Sequence, residues 1–226
     1  MGDDAWERWR EAAARWFPPK LARRDALPES EVAAAEKRLG VRLPARLREL
    51  YRTSGRRRDL HATHDRLFAP NKLIFVGGAL VFYERSDSLA AWGVARAHLG
   101  KDVSADDPPV ARALNQPPWS WEPDHDTLSS FLFTELVWQH VNASTSVALD
   151  ADVAALDRVA ARCTSVALEG CHWDVRGCWE RDGTVVFARA PTEDHIQLYV
   201  GSTSQEALDS ALAELDLKNS GSMPVA

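Results

Sequence analysis

The side chains with acid–base potential in this 226-residue chain are His61, His64 and Asp65 in HATHD, His125 in DHD and His172 beside Cys171. Imidazole beside carboxylate is the pairing that general acid–base catalysis uses, and it works only when a positioned partner and a pocket accompany it. These histidines fall on segments that read as loops, with no recognisable arrangement. Two or more of them within hydrogen-bond reach in one cleft would restore a catalytic reading. The same groups offer metal-ligand atoms, but His61, His64 and Asp65 share a single loop-like stretch. Cys163, Cys171 and Cys178 lack the C-x-x-C spacing and four clear ligands of a zinc knuckle. Free thiols, buried or half-buried on strands, are the plainer reading. No glycine-rich phosphate loop, Walker motif or nucleophile elbow occurs. The expectation is a non-enzymatic protein without cofactor or metal.

A second kind of chemistry is recognition. KDVSADDPP and QPPWSWEPDHD combine carboxylates with tryptophan, the residue types that anchor protein interfaces. Asp106, Asp107, Trp119, Trp121, Glu122, Asp124 and Asp126 are therefore the candidate partner-binding residues. The plainer alternative makes the two tryptophans core residues and the carboxylates solvated or capping. Charge leans toward a protein partner. Residues 1–70 hold 16 Lys/Arg against 11 Asp/Glu, and residues 71–226 hold 11 against 22, within a net charge of -6. An acidic body repels a phosphate backbone and suits a basic protein, so direct nucleic-acid binding is not expected. No apolar run approaches the roughly 20 residues of a membrane span, and MGDDAWERWR is too charged for a signal peptide. With an odd cysteine count, the expected compartment is the cytoplasm.

The elements that must position these residues read as follows. A first helix over DDAWERWREAAARWF carries Trp6, Trp9, Ala13 and Trp16 on one stripe, with Asp3 or Asp4 as cap and Pro18-Pro19 as stop. LPESEVAAAEKRLGVRLPARLRELYRTSG places Pro28 and Pro44 in the opening turns of two helices. Val32, Ala35 and Leu39 line the first and Leu47, Leu50 and Tyr51 the second, with Gly40 as a left-handed stop between them. Residues 56–71 read as loop. LIFVGGALVFYE is a hairpin turning at Gly77-Gly78, AAWGVA and PPVARAL are further strands, and QPPWSWEPDHD is a loop. Asp124 or Asp126 caps a helix from Thr127 to about Val141 whose buried face is Leu128, Phe131, Leu132, Leu136 and Trp138. A helix centred on Val153, Leu156 and Ala160 follows. Then come three strands, HWDVRGCWE, TVVFARA and HIQLYV, with an Asp182-Gly183 turn, and a last helix with Ser202, Thr203 and Glu206 as capping box and Leu208, Ala211, Leu212 and Leu215 inward. Strands in hairpin-linked groups imply an α+β fold with a largely antiparallel sheet flanked by helices. One domain over 1–217 is expected, followed by a mobile polar tail over 218–226.

The order LP-x3-V-x6-LG-x2-LP-x2-L-x2-LY-x3-G over residues 27–55, then Trp92-Gly93-Val94, Asp107 to Val110, and WSWEPDHDTLSSFL resembles the SUKH superfamily. That group of α+β domains includes a yeast cell-wall-synthesis regulator and many bacterial immunity proteins. The resemblance covers roughly residues 25–141. It departs at Ser54-Gly55, followed by RRRD, where such families often carry Asn-Gly. The N-terminal helix and the C-terminal third lie outside it, the latter an extension of the same sheet if it joins the fold simply. The resemblance implies an intracellular antidote that occupies a cognate toxin, commonly a nuclease, or else a regulatory or scaffold module that binds a host protein.

Overall fold

The computed structural model describes residues 3–143, 145–192 and 195–217, so the expected tail over 218–226 and the side chains of Asp3 and Asp4 lie outside the described residues. Helix α1 (Asp3–Trp16) buries Trp6, Trp9, Ala12, Ala13 and Trp16 on the expected stripe. Helices α2 (Glu29–Leu39) and α3 (Ala45–Ser54) follow as expected, but Pro28 and Pro44 occupy the cap positions just before them. A proline there still gives up an N–H that the helix does not use. Gly40 ends α2 at φ 70°, a conformation that a side chain would strain. The elbow between the helices closes on a buried carboxylate. Glu36 accepts from Leu43 N at 2.9 Å and from Arg48 Nη1 at 2.8 and 3.0 Å.

Residues 56–71, expected as loop, hold a short helix α4 (Arg58–His61), a two-residue strand β1 (Arg66–Leu67) and a 3-10 turn starting at Pro70. Two-residue strands and single helical turns are too short for hydrophobic periodicity to show. Next come β2 (Ile74–Val76), β3 (Ala79–Glu84), β4 (Ala90–Ala95), β5 (Val110–Leu114) and β6 (Glu122–His125). They form one antiparallel sheet in the order β1-β3-β4-β5-β6, with β2 also on β3. The β2–β3 turn has Gly77 at φ 55° and Gly78 at φ 84°, the positive pair that a tight hairpin needs. Strand β6 replaces part of the expected loop because Arg112 pairs across to Glu122 and Val110 to His125.

Helix α5 (Leu128–Val141) corrects the expectation of a single buried face, since all fourteen of its residues are buried. A helix covered all round needs packing partners on every side. The first sheet supplies Phe82, Tyr83 and Trp92 around Phe131. Helix α1 supplies Trp16, which lies against Phe133 and His140. The remaining side meets a second sheet, of β7 (Ser146–Ala151), β8 (Thr164–Ser165), β9 (Val175–Arg181), β10 (Thr184–Thr192) and β11 (His195–Gly201). Its order is β7-β11-β10-β9-β8, antiparallel throughout, so the C-terminal third builds its own sheet and does not extend the first. The three expected strands and the Asp182-Gly183 turn are present, and β7 and β8 are additional.

Alternation along β10 explains why this sheet is covered twice. Val185 and Phe187 join the α5 core, whereas Val186 and Ala188 join a second core under α6 (Val153–Arg162) and α7 (Gln205–Glu214). In α6 the inward residues are Ala155 and Val159, while Val153 is 64% exposed, which corrects the face assigned from Val153 and Ala160. Ser204 caps α7 by accepting from Ala207 N. Ser202 is instead buried at the sheet end against Thr184 Oγ1.

Breaking a buried ion pair leaves one charge uncompensated, which costs several kcal/mol, whereas a half-exposed partner contributes little. Glu36→Gln should lower unfolding stability by about 2–4 kcal/mol in urea titrations and Arg42→Ala by less than about 1.

A candidate binding cleft between the two sheets

Where the sheets part from α5 they leave a cleft of about 520 Å³, lined among others by His64, Asp65, Trp92, Arg112, Glu122, Asp124, Trp138, His172, Trp173 and Arg189. Its walls come from distant parts of the chain, and three sets of bonds hold them together. The segment before β9 is stitched to β6 through a His125–Cys171 bridge, with Asp126 N donating to Gly170 O and His172 N to Asp124 O. On the other wall, Gln139 of α5 accepts from Thr63 N and His64 N and donates to Asp65 O and the Tyr83 hydroxyl. All four hydrogen-bonding positions of its amide are used, and they place the loop that carries His64 and Asp65.

The floor is a carboxylate hub. Asp124, 4% exposed, accepts from Trp92 Nε1 at 3.0 Å and Trp173 Nε1 at 3.2 Å, and its Oδ2 lies 2.8 Å from His125 Nδ1. Asp65 Oδ1 accepts from Ser86 N at 2.9 Å and lies 2.9 Å from His64 Nδ1. Beneath them Glu135 is buried, and neither of its oxygens has a hydrogen-bond partner of good geometry. Burial, reinforced by the Asp65 and Asp124 charges, lifts its pKa well above the usual carboxylate range, and the nearby Tyr83 hydroxyl acts in the other direction. The shift favours the protonated, uncharged carboxyl. Burial also lowers His61 and His140 to about 4, so both are neutral imidazoles. His61 sits 2.8 Å from Ser54 Oγ, and Ser54 is fully buried, which makes this pair an interior contact.

The seven residues expected to bind a partner do not share one surface. Asp106 is exposed beside α3, its carbonyl accepting from Arg46 N. Asp107 accepts from Ser129 N at 2.7 Å and Thr127 from Ser130 N, so these two cap α5 in place of Asp124 or Asp126. Trp119 and Trp121 stack at 5.9 Å and are half-buried over the β2–β3 turn, where Trp121 Nε1 donates to Val76 O. A Cβ on Gly77 would come within 2.6 Å of Trp119, so this pair and that glycine fit each other. Of the seven, Glu122 and Asp124 line the cleft, and Asp126 borders it through His172 Nε2 at 3.0 Å. Asp124 is too enclosed to meet a flat partner.

Sequence reasoning passed over Arg112, Trp138, Trp173, Arg189, Glu135 and Gln139. A signal existed for the last two, since polar residues inside LSSFLFTELVWQHV must find partners if that helix is buried. The cysteines are all free, and Cys178 alone lies on a strand. Burial raises the Cys171 thiol to about 11. Among the described residues no group of three or more His, Cys, Asp or Glu side chains is placed to hold a metal ion, and no helix is long and apolar enough to cross a membrane.

The chain matches no family model, no curated protein and no solved structure. The α+β architecture rests on its own geometry, and the SUKH resemblance rests on motif order.

The buried groups set opposite pH dependences. Unfolding lets Glu135 ionise above its ordinary value of 4.5, so its burial lowers stability as pH rises from there through its raised folded pKa. His61 and His140 gain a proton on unfolding below 6.5 and in the fold only near 4, so they lower stability as pH falls across that window, by roughly 1.4 kcal/mol per pH unit each. Glu135→Gln removes only the first effect. Its Tm should exceed that of the wild type at pH 8 and match it at pH 4. An equal offset at both values would show that Glu135 does not titrate differently on folding.

Proposed function

We propose that the chain is a protein-binding module of immunity type, which neutralises a cognate toxin domain such as a nuclease by occupying it. The observation that carries this reading is the placement of the motif blocks. The two Leu-Pro helices are α2 and α3, Trp92-Gly93-Val94 lies in β4, Asp107 to Val110 leads into β5, and WSWEPDHDTLSSFL spans β6 and α5. Strands β4, β5 and β6 are neighbours, so residues scattered through the sequence belong to one continuous unit. The acidic balance of residues 71–226 supports a basic partner, because charge complementarity accelerates encounter and disfavours wrong partners. Asp106, Glu122 and Asp126 are exposed and available for such steering, wherever the contact itself forms.

Co-expression with the toxin domains encoded beside its gene should restore growth for one of them, with the pair recovered together by pull-down. Absence of both rescue and binding across those domains would overturn the proposal. The association rate should fall by about tenfold or more from low to physiological salt, and a salt-independent rate would replace the electrostatic account with an apolar interface.

A specific observation favours a second reading. His64 and Asp65 lie within hydrogen-bond reach in one cleft that His172 also lines, which is the arrangement that restores catalysis as a reading. Asp65 orients the imidazole through Nδ1, leaving Nε2 to act as a base toward a bound water or substrate. Among the described residues no serine, threonine or cysteine side chain is hydrogen-bonded to His64, so the chemistry would be base-assisted attack without a protein nucleophile. Turnover of ester or amide substrates that falls about 100-fold or more in His64→Gln would establish it. Unchanged turnover in that variant would dismiss it.

A further inference from the structure

We propose that the cleft between the sheets is a carboxylate-binding site formed by Arg189 and Arg112, one contributed by each sheet. This goes beyond toxin neutralisation and does not depend on it. Arg189, on β10, is half-buried, and its guanidinium carbon stands 5.9 Å from the ring centroids of both Trp138 and Trp173. Its Nε is buried without a hydrogen-bond partner, and among the described residues no acceptor takes any of its N–H groups. A buried guanidinium Nε–H without an acceptor, on a cation flanked by two indoles, is an unsatisfied donor at the cleft wall. Arg112 enters from β5 and reaches only to 3.9 Å from Asp124 Oδ1. Arg85 in the same cleft is different, because Asp87 holds it through two oxygens.

The carboxylates already present do not answer these two arginines. Asp65 Oδ1 is engaged by Ser86 N and His64, and Asp124 by Trp92, Trp173 and His125, and among the described residues neither carboxylate is hydrogen-bonded to Arg112 or Arg189. Glu122 and Asp174 stand exposed at the rim, and among the described residues neither forms an ion pair. The missing group is therefore an incoming acceptor with two coplanar oxygens, which is what a guanidinium fork matches. The negative rim selects within that class, since it repels a doubly charged phosphate more than a singly charged carboxylate. A volume of about 520 Å³ admits a small organic acid or the carboxyl end of a chain, two sources of the same chemistry.

The test uses the full-length protein labelled with nitrogen-15, titrated with sodium acetate, N-acetylglycine or inorganic phosphate at ionic strength matched with sodium chloride. Acetate or N-acetylglycine should shift the Trp173 indole N–H and the Arg189 Nε–H saturably, with a midpoint of order millimolar. Tighter binding of N-acetylglycine identifies a chain end as the source, and equal binding identifies a free acid. Arg189→Met, which keeps the stem on the indoles, should weaken the response at least about tenfold, and Arg112→Gln should weaken it severalfold. Arg96→Met, remote from the cleft on Phe75, should leave it unchanged. Three results would each overturn the proposal: no saturation beyond the chloride control, tighter binding of phosphate than of either carboxylate, or an undiminished response in both cleft variants. The first two are read on the wild-type protein and do not depend on a variant folding.

Discussion

The complete enclosure of α5 is the constraint on which the rest of the structure depends. A fourteen-residue helix with no solvent-facing side cannot be covered by one sheet and two helices, so the chain supplies a second sheet and the tryptophan stripe of α1. Enclosure also forces every polar group on the helix to find its match inside the protein. Gln139 does so completely, and in doing so it anchors the loop of His64 and Asp65. Glu135 and His140 are exceptions: each keeps an unpaired buried side-chain atom, and burial shifts each toward its uncharged form. The two responses have different consequences: the first gives the cleft a rigid wall, and the second makes stability depend on pH from the interior outward.

The cleft follows from the same geometry. Two sheets rest on one helix, and the segment that runs from Gly170 to Trp173 against β6 bridges the gap between them. The bridge brings Trp173 onto Asp124 and His172 onto Asp126, residues about fifty positions apart in the chain. A hub in which two indole N–H groups and a histidine ring nitrogen converge on one carboxylate is costly to desolvate and strong once assembled. It ties the segment leading into β9 to strands β4 and β6 of the first sheet.

Legibility in the sequence tracked the range of the interaction. The doubled Leu-Pro pattern, the Gly40 stop, the Gly77-Gly78 and Asp182-Gly183 turns and the indole stripe of α1 all depend on neighbours within a turn or two, and each was readable. Strands β1, β6, β7 and β8 were not, because two- to six-residue segments owe their conformation to pairing partners far away in the sequence. The inward face of α6 was misread for a related reason: Val153 looks inward by period alone, but Asp152 starts the helix in a phase that turns Ala155 and Val159 to the sheet. At the cleft, Glu122, Asp124, His64, Asp65 and His172 were visible as chemistry-bearing residues, whereas Arg112 and Arg189 carried no local mark. An arginine on a strand becomes notable only once its surroundings are known to lack an acceptor.

From residues alone came the α+β class, the helical hairpin over residues 27–55, the acidic character of the larger part of the chain and a motif order that resembles one superfamily. Local propensities, turn chemistry and composition are properties of short windows, so they survive without coordinates. Tertiary structure alone decided that there are two sheets and that α5 is enclosed between them. It also dispersed the seven acidic and aromatic residues among a helix cap, a turn clamp and a buried hub, and left the Nε of Arg189 in the cleft buried without an acceptor. Those outcomes depend on which distant surfaces meet and which polar groups are thereby cut off from water, and no short window of sequence contains that information.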